Sequence, residues 1–209
     1  MPPLNTALRS ASENKIIAAR DAAERAAREA LERLDVAMDT PRASLSDGDR
    51  RLRNQLRAEA RRLDPMRGDD GGKGDSQTKT VRGFPLLIAE CAYEQWHRML
   101  FARFLAENNL LMHPDGISLS LEDCRELAPH EGFSDAWSAA ASYASRMLPG
   151  IFREGDPTLQ IRLAPEGRQA LEVILTGIPE AVFTSDDGLG WVYQFWQTKA
   201  KKEIGRAHV

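Results

Sequence analysis

The run Phe84-Pro-Leu-Leu-Ile-Ala-Glu-Cys-Ala-Tyr-Glu-Gln-Trp-His-Arg-Met-Leu-Phe-Ala-Arg-Phe-Leu-Ala-Glu-Asn108 predicts one long helix. Ile88, Ala92, Trp96, Met99, Leu100, Phe104 and Leu105 spread over most of its circumference. A surface helix carries one apolar stripe, whereas a helix apolar nearly all round lies in the centre of a bundle. Arg98 and Arg103 interrupt that surface and are expected to pair with carboxylates or to lie along its edge. Asn108-Asn109 ends the helix, and His113-Pro-Asp-Gly116 has the composition of a turn. The fold class that follows is mainly α. An N-terminal helical hairpin (residues 1–65) and a flexible linker (66–82) precede a compact multi-helix bundle (83–203) with at most one short strand pair.

Upstream, Ser12 to Met38 is alanine-rich, charged and helical in pattern. Ile16, Ala19, Ala23, Ala27, Ala30, Leu31, Leu34 and Met38 recur at steps of three and four, which gives one narrow apolar stripe. Thr40-Pro41 is expected to break this helix. Ser46 or Asp47 can cap a second helix that runs to about Leu63. On that helix Leu52, Leu56, Ala60 and Leu63 are expected on one side, and Arg50, Arg53, Arg57 and Arg61 on the other. The arginine stripe reads either as a solvated face or as a surface for DNA backbone phosphates, which would make affinity fall steeply with salt. Residues 66 to 80 are rich in Gly, Asp, Ser and Lys and poor in apolar side chains, the composition of a linker.

Downstream, Ser120-Leu-Glu-Asp123 resembles a capping box and opens a short helix to Ala128. Asp135 to Met147 is another, with Trp137, Ala140, Ala141, Ala144 and Leu148 inward. Thr158 to Leu163 alternates well enough for a short isolated strand. A helix over Glu166–Leu175 and a brief one over Pro179–Phe183 follow. The stretch Asp187-Gly-Leu-Gly-Trp-Val-Tyr-Gln-Phe-Trp-Gln-Thr-Lys-Ala-Lys-Lys202 then concentrates Trp191, Tyr193, Phe195 and Trp196 in a chain only 7% aromatic. It reads as a buried aromatic helix. Its Lys199, Lys201 and Lys202 suit a helix C-terminus and offer a second candidate contact for DNA backbone. Gly188-Leu-Gly190 lacks the strand and third glycine of a dinucleotide fingerprint, and Gly188 is expected to give backbone freedom at the helix entry. The final Ile204-Gly-Arg-Ala-His-Val209 breaks character. It looks like translated read-through of a sequencing adapter, so residues 204–209 are expected to be non-native and the natural protein to continue past Glu203.

The chain has 209 residues, 42% hydrophobic and 28% charged, with a formal net charge of -3. No global basic field advertises nucleic acid, so any such contact must be local. No apolar run approaches the ~18 residues of a membrane span, and the N-terminus lacks the pattern of a secretory signal. Cys91 and Cys124, without metal-ligand spacing, fit a reducing cytoplasm. No set of convergent titratable groups assembles into an active site, so no catalytic, cofactor-binding or metal-binding residue is assigned. His97 is expected at the edge of the core. His113, Asp115 and His130 are the remaining metal-site candidates, without a second histidine at ligand spacing.

Three runs together resemble the N-terminal region of the large Eco57I-like, adenine-specific DNA methyltransferases of restriction–modification systems, including the methyltransferase of BREX phage-defence systems. They are Ala92-Tyr-Glu-Gln-Trp-His-Arg-Met-Leu-Phe-Ala-Arg-Phe-Leu105, Met147-Leu-Pro-Gly-Ile-Phe-Arg153 and Leu189-Gly-Trp-Val-Tyr-Gln-Phe-Trp196 with its trailing lysines. The resemblance covers roughly residues 84 to 203. It implies a helical module followed by a methyltransferase domain and a target-recognition domain. It also implies methyl transfer from S-adenosylmethionine to adenine N6, with DNA as partner. The family's cofactor glycine motif and Asn-Pro-Pro-Tyr motif are absent here, since the one Pro-Pro is Pro2-Pro3. The alternative is a stand-alone helical scaffold or protein-interaction module.

Overall fold

The computed structural model describes residues 3–64, 81–153 and 155–207, with side chains described as far as Gln197. Most of the expected linker, residues 66–80, and His208 and Val209 of the tail therefore lie outside the described residues. Within them the fold is mainly helical, with helices α1 (Thr6–Arg33), α2 (Asp47–Leu63), α3 (Phe84–Glu107), α4 (Leu121–Leu127), α5 (Ala136–Met147), α6 (Pro157–Gln160), α7 (Pro165–Thr176), α8 (Glu180–Thr184) and α9 (Gly188–Ala207). The one β feature among these residues is an isolated antiparallel bridge between Met112 and Ser118. It closes the His113–Gly116 turn, where Gly116 takes φ 82°.

α1 begins earlier than the alanine pattern predicts, because the Asn5 side chain accepts from the Leu8 amide at 2.9 Å and caps the helix. It also ends earlier, at Arg33, ahead of the proline. Asp35 adopts φ 53°, its amide donates to the Glu32 carbonyl, and the Val36 amide donates to the Leu31 carbonyl. That bonding pattern is a Schellman stop, here with Asp where Gly is usual. Met38, expected on the apolar stripe, lies beyond this stop and is 49% exposed. α3 ends the same way, with Asn109 at φ 56°. No residue from Leu87 to Asn108 is exposed, as expected of a central helix.

The caps read from the sequence at Ser46 and Ser120 are present: Ser46 accepts from the Asp49 amide, and Ser120 and Asp123 form a reciprocal capping box. A further cap, at Asp135, accepts from the Ser138 amide. The expected strand over Thr158–Leu163 is not formed. Asp156 accepts from the Thr158 amide and Pro157 takes the first helical position, so the segment opens as the helical turn α6.

Two compact units divide the chain: residues 1–21, 96–154 and 170–209 in one, and residues 22–95 and 155–169 in the other. The division falls within α1, α3 and α7. In the first unit α4 packs on α5 and α8 on α9. Its core includes Leu105, Leu111, Leu119, Cys124, Tyr143 and Phe152. In the second, α2 packs on α6, and Leu56, Ala60, Leu87 and Ile88 are buried, as are Ala22, Ala23, Ala26, Ala27 and Ala30 of α1. Close backbone approach here depends on glycine. A Cβ on Gly167 would stand 2.7 Å from the Ala26 Cβ, and one on Gly83, at φ 77°, would overlap the Ala60 carbonyl oxygen.

Both cysteines are free and fully buried. Burial pushes the Cys91 thiol up and raises that of Cys124 to about 11. Since the thiolate is the reactive form, neither should react with Ellman's reagent in the folded chain, whereas both should in guanidinium. Prompt reaction of a thiol under native conditions would contradict the packing described.

Candidate nucleic-acid interface and aromatic cluster

The arginines of α2 do not share an open face. Arg53 is 4% exposed and Arg57 7%, so they lie with Leu56 and Ala60 on the buried side of the helix. Both reach the connection that follows α1. Arg53 Nε donates to the Asp35 carbonyl at 3.0 Å, and its Nη2 donates to the carbonyls of Asp39, at 3.0 Å, and Met38. Arg57 Nη1 donates to the carbonyls of Val36, at 2.9 Å, and Met38, and Nη2 to the Asp39 carboxylate at 2.8 Å. Arg50, half-buried, donates through Nε to the Leu45 carbonyl at 3.0 Å and through Nη2 to that of Ala43 at 2.9 Å. Arg61 is exposed.

These carbonyls follow a helix C-terminus and have no helical partner, so a buried fork of N–H donors satisfies several at once. The expected arrangement, with every arginine opposite Leu56 and Ala60, is corrected on this point. Lys199, Lys201 and Lys202 fall within α9, and their side chains lie outside those described.

A fourth arginine completes the clamp. The Asp35 carboxylate accepts from the Arg42 amide, Nε and Nη2 at 2.9, 2.9 and 2.7 Å. Hydrogen bonding from Arg42 holds the Asp35 pKa down at about 2, below its ordinary 3.8. A depressed carboxylate contributes stability that is present above about pH 4 and is lost as pH falls toward 2. Asp35→Asn should therefore lower the urea midpoint at pH 6 and flatten the decline between pH 4 and 2. An unchanged acid slope in the variant would assign that decline elsewhere.

The aromatic stretch of α9 is built into the first unit. Trp196 stacks on Trp96 with centroids 4.0 Å apart, and Tyr193 meets the same ring edge-on at 5.9 Å. His97 lies 5.6 Å from Tyr193 and 5.8 Å from Phe152. Burial lowers its pKa, as expected of an imidazole at the core edge. Arg20 is 7% exposed and donates to the Trp196 carbonyl at 2.8 Å. At the entry to α9, Asp187 accepts from the Leu4 amide at 2.7 Å, Trp191 Nε1 at 2.9 Å and Arg9 Nη2 at 3.0 Å. The Leu4 bond is the largest cause of its lowered pKa, followed by the Trp191 bond.

Arg103 meets its expectation directly. It pairs with Glu107 at 3.0 Å, donates to the Leu175 carbonyl and lies 4.4 Å above the Phe183 ring.

Sequence reasoning missed Tyr143, which is fully buried. Burial, then the nearby Glu131 carboxylate, pushes its phenol up to about 12. Glu131 also stands 2.8 Å from His113 Nε2. The structure does not join His130, which is exposed, to His113 and Asp115 as a metal site. Among the described residues no three His, Cys, Asp or Glu side chains are grouped to hold a metal ion. Among them also, no helix is long and apolar enough to cross a membrane. No family model, no curated protein and no solved structure matches this chain.

Proposed function

We propose that this chain is the N-terminal, non-catalytic helical part of an S-adenosylmethionine-dependent, adenine-N6-specific DNA methyltransferase of a restriction–modification or phage-defence system. Its role is to seat the catalytic and target-recognition domains. The observation that supports the reading is the meeting of three distant runs. Trp96, His97 and Phe101 come from the first run that carries the resemblance, Phe152 from the second, and Tyr193 and Trp196 from the third. Their rings form one cluster, with centroid distances of 4.0 to 6.0 Å. Residues that recur together in a family because they pack together imply a shared module, whereas scattered matches imply little.

On this reading the protein works in the cytoplasm, and S-adenosylmethionine binds outside this chain. DNA backbone contact falls to Arg61 and the lysines at 199, 201 and 202, since Arg50, Arg53 and Arg57 are committed to main-chain carbonyls. The purified 209-residue chain should transfer no tritiated methyl groups from S-adenosylmethionine to DNA. Transfer above a no-protein control would overturn the non-catalytic assignment.

A further inference from the structure

A cleft of about 860 Å³ opens in the unit formed by residues 22–95 and 155–169. The last turn of α1, the first turns of α2 and the extended run after α6 wall it. Leu34, Leu45, Leu52 and Leu163 line the interior, and each is only half-buried. Leaving apolar wall in contact with water forgoes roughly 25 cal/mol per Å² that an occupant would recover.

Two exposed arginines, Arg33 and Arg162, also line the cleft. The Arg33 guanidinium donates to the Arg162 main-chain carbonyl, which fixes one cation beside the backbone of the other. The acid on the wall, Asp49, accepts from the Ser46 hydroxyl at 2.6 Å within the α2 cap. The lining thus combines an aliphatic interior with an excess of positive charge.

We propose that this cleft binds a medium-chain aliphatic carboxylate, with its tail along the four leucines and its head at Arg33 and Arg162. Four features select this ligand class. Eleven residues line the cleft, far fewer than the roughly 20 to 30 a side of a stable protein interface. The volume falls within the ~300–1,000 Å³ typical of small-molecule sites. No aromatic side chain lines the walls, so nothing favours a flat, stacking ligand over a flexible chain. An arginine pair recognises a carboxylate through charge-assisted, in-plane hydrogen bonds, which a neutral or cationic head cannot accept in the same way.

The test is calorimetric titration of the full chain with decanoate. Saturable one-to-one binding is expected, with Kd on the order of 100 µM for a ligand of this size. Decanol and decylammonium should bind about tenfold more weakly or worse, and the Arg33→Gln/Arg162→Gln double variant should lose about tenfold for decanoate while leaving decanol unchanged. Leu163→Ser, with its fold checked by circular dichroism, should weaken both decanoate and decanol. Absence of saturable decanoate binding, equal binding of decanol and decanoate, or indifference to the arginine variants would overturn the proposal.

Discussion

Replacing Arg53 by alanine should lower the folding free energy by about 3 kcal/mol, measured as a shift in the denaturant midpoint. A hydrogen bond to a charged group contributes about 1.5–3 kcal/mol, and leaving a buried acceptor unpaired adds its desolvation cost. Arg53 donates to the Asp35, Met38 and Asp39 carbonyls, which a truncated side chain leaves to find other donors. The contributions do not add fully, because Arg57 also reaches the Met38 carbonyl and could hold part of the connection. Two cationic neighbours add a repulsion that the mutation relieves, and burial with Arg57 lowers the Arg53 pKa accordingly. The donor loss is nevertheless the larger effect, since three bonds to a charged group are lost together, although the Met38 amide still donates to the Asp35 carbonyl. Arg53→Lys should recover little, because a single ammonium cannot reproduce the separate Nε and Nη2 bonds. Arg61→Ala, at an exposed position of the same helix, should change stability by less than about 0.5 kcal/mol. Equal effects at Arg53 and Arg61 would return α2 to a solvated arginine face.

Gly188→Ala should destabilise by about 3 kcal/mol or more, whereas Gly190→Ala should be neutral or stabilising by up to about 1 kcal/mol. A Cβ at Gly188 would overlap the Val182 carbonyl oxygen, a backbone atom that cannot rotate away, and would crowd the Ser185 hydroxyl. At Gly190 a Cβ meets no neighbouring atom within 4 Å, and alanine is the better helix former. The role of Gly188 therefore differs from the one its sequence context suggests. Its conformation lies outside the left-handed range, and what the position requires is the absence of a side chain where α8 and α9 meet. Thermal melts of the two variants side by side check this. A similar loss in both would mean that the glycines act through backbone freedom, with no part played by the clash at Gly188.

The reading of Phe84–Asn108 as a central helix survives because it rests on a pattern with one physical solution: a cylinder apolar on all sides must be surrounded. The caps at Ser46 and Ser120 are readable for a local reason, since a side-chain oxygen needs only the amide two or three residues on. What escaped was whatever depends on the partner. Hydropathy assigns arginine to solvent, yet Arg53 and Arg57 turn inward, because the end of α1 and the connection after it present carbonyls that need donors. Nothing within α2 signals those carbonyls. Asp156-Pro157 did carry a helix-start signal, and the alternation that follows it was the weaker of two conflicting cues. Tyr143 was passed over among small alanines, although a tyrosine one residue before Ala144 lies on the same inward arc.

Trp96, Phe152, Tyr193 and Trp196 pack together. On the function proposed above, these positions are structural and the catalytic chemistry belongs to a domain outside this chain. The proposed function requires residues 204–209 to be non-native, so its most direct test is to sequence the source gene beyond the codon for Glu203. We expect the reading frame to continue into a glycine-rich cofactor motif and then an Asn-Pro-Pro-Tyr run. A stop codon at that point, or a long continuation containing neither motif, would contradict the methyltransferase reading and leave a stand-alone helical scaffold.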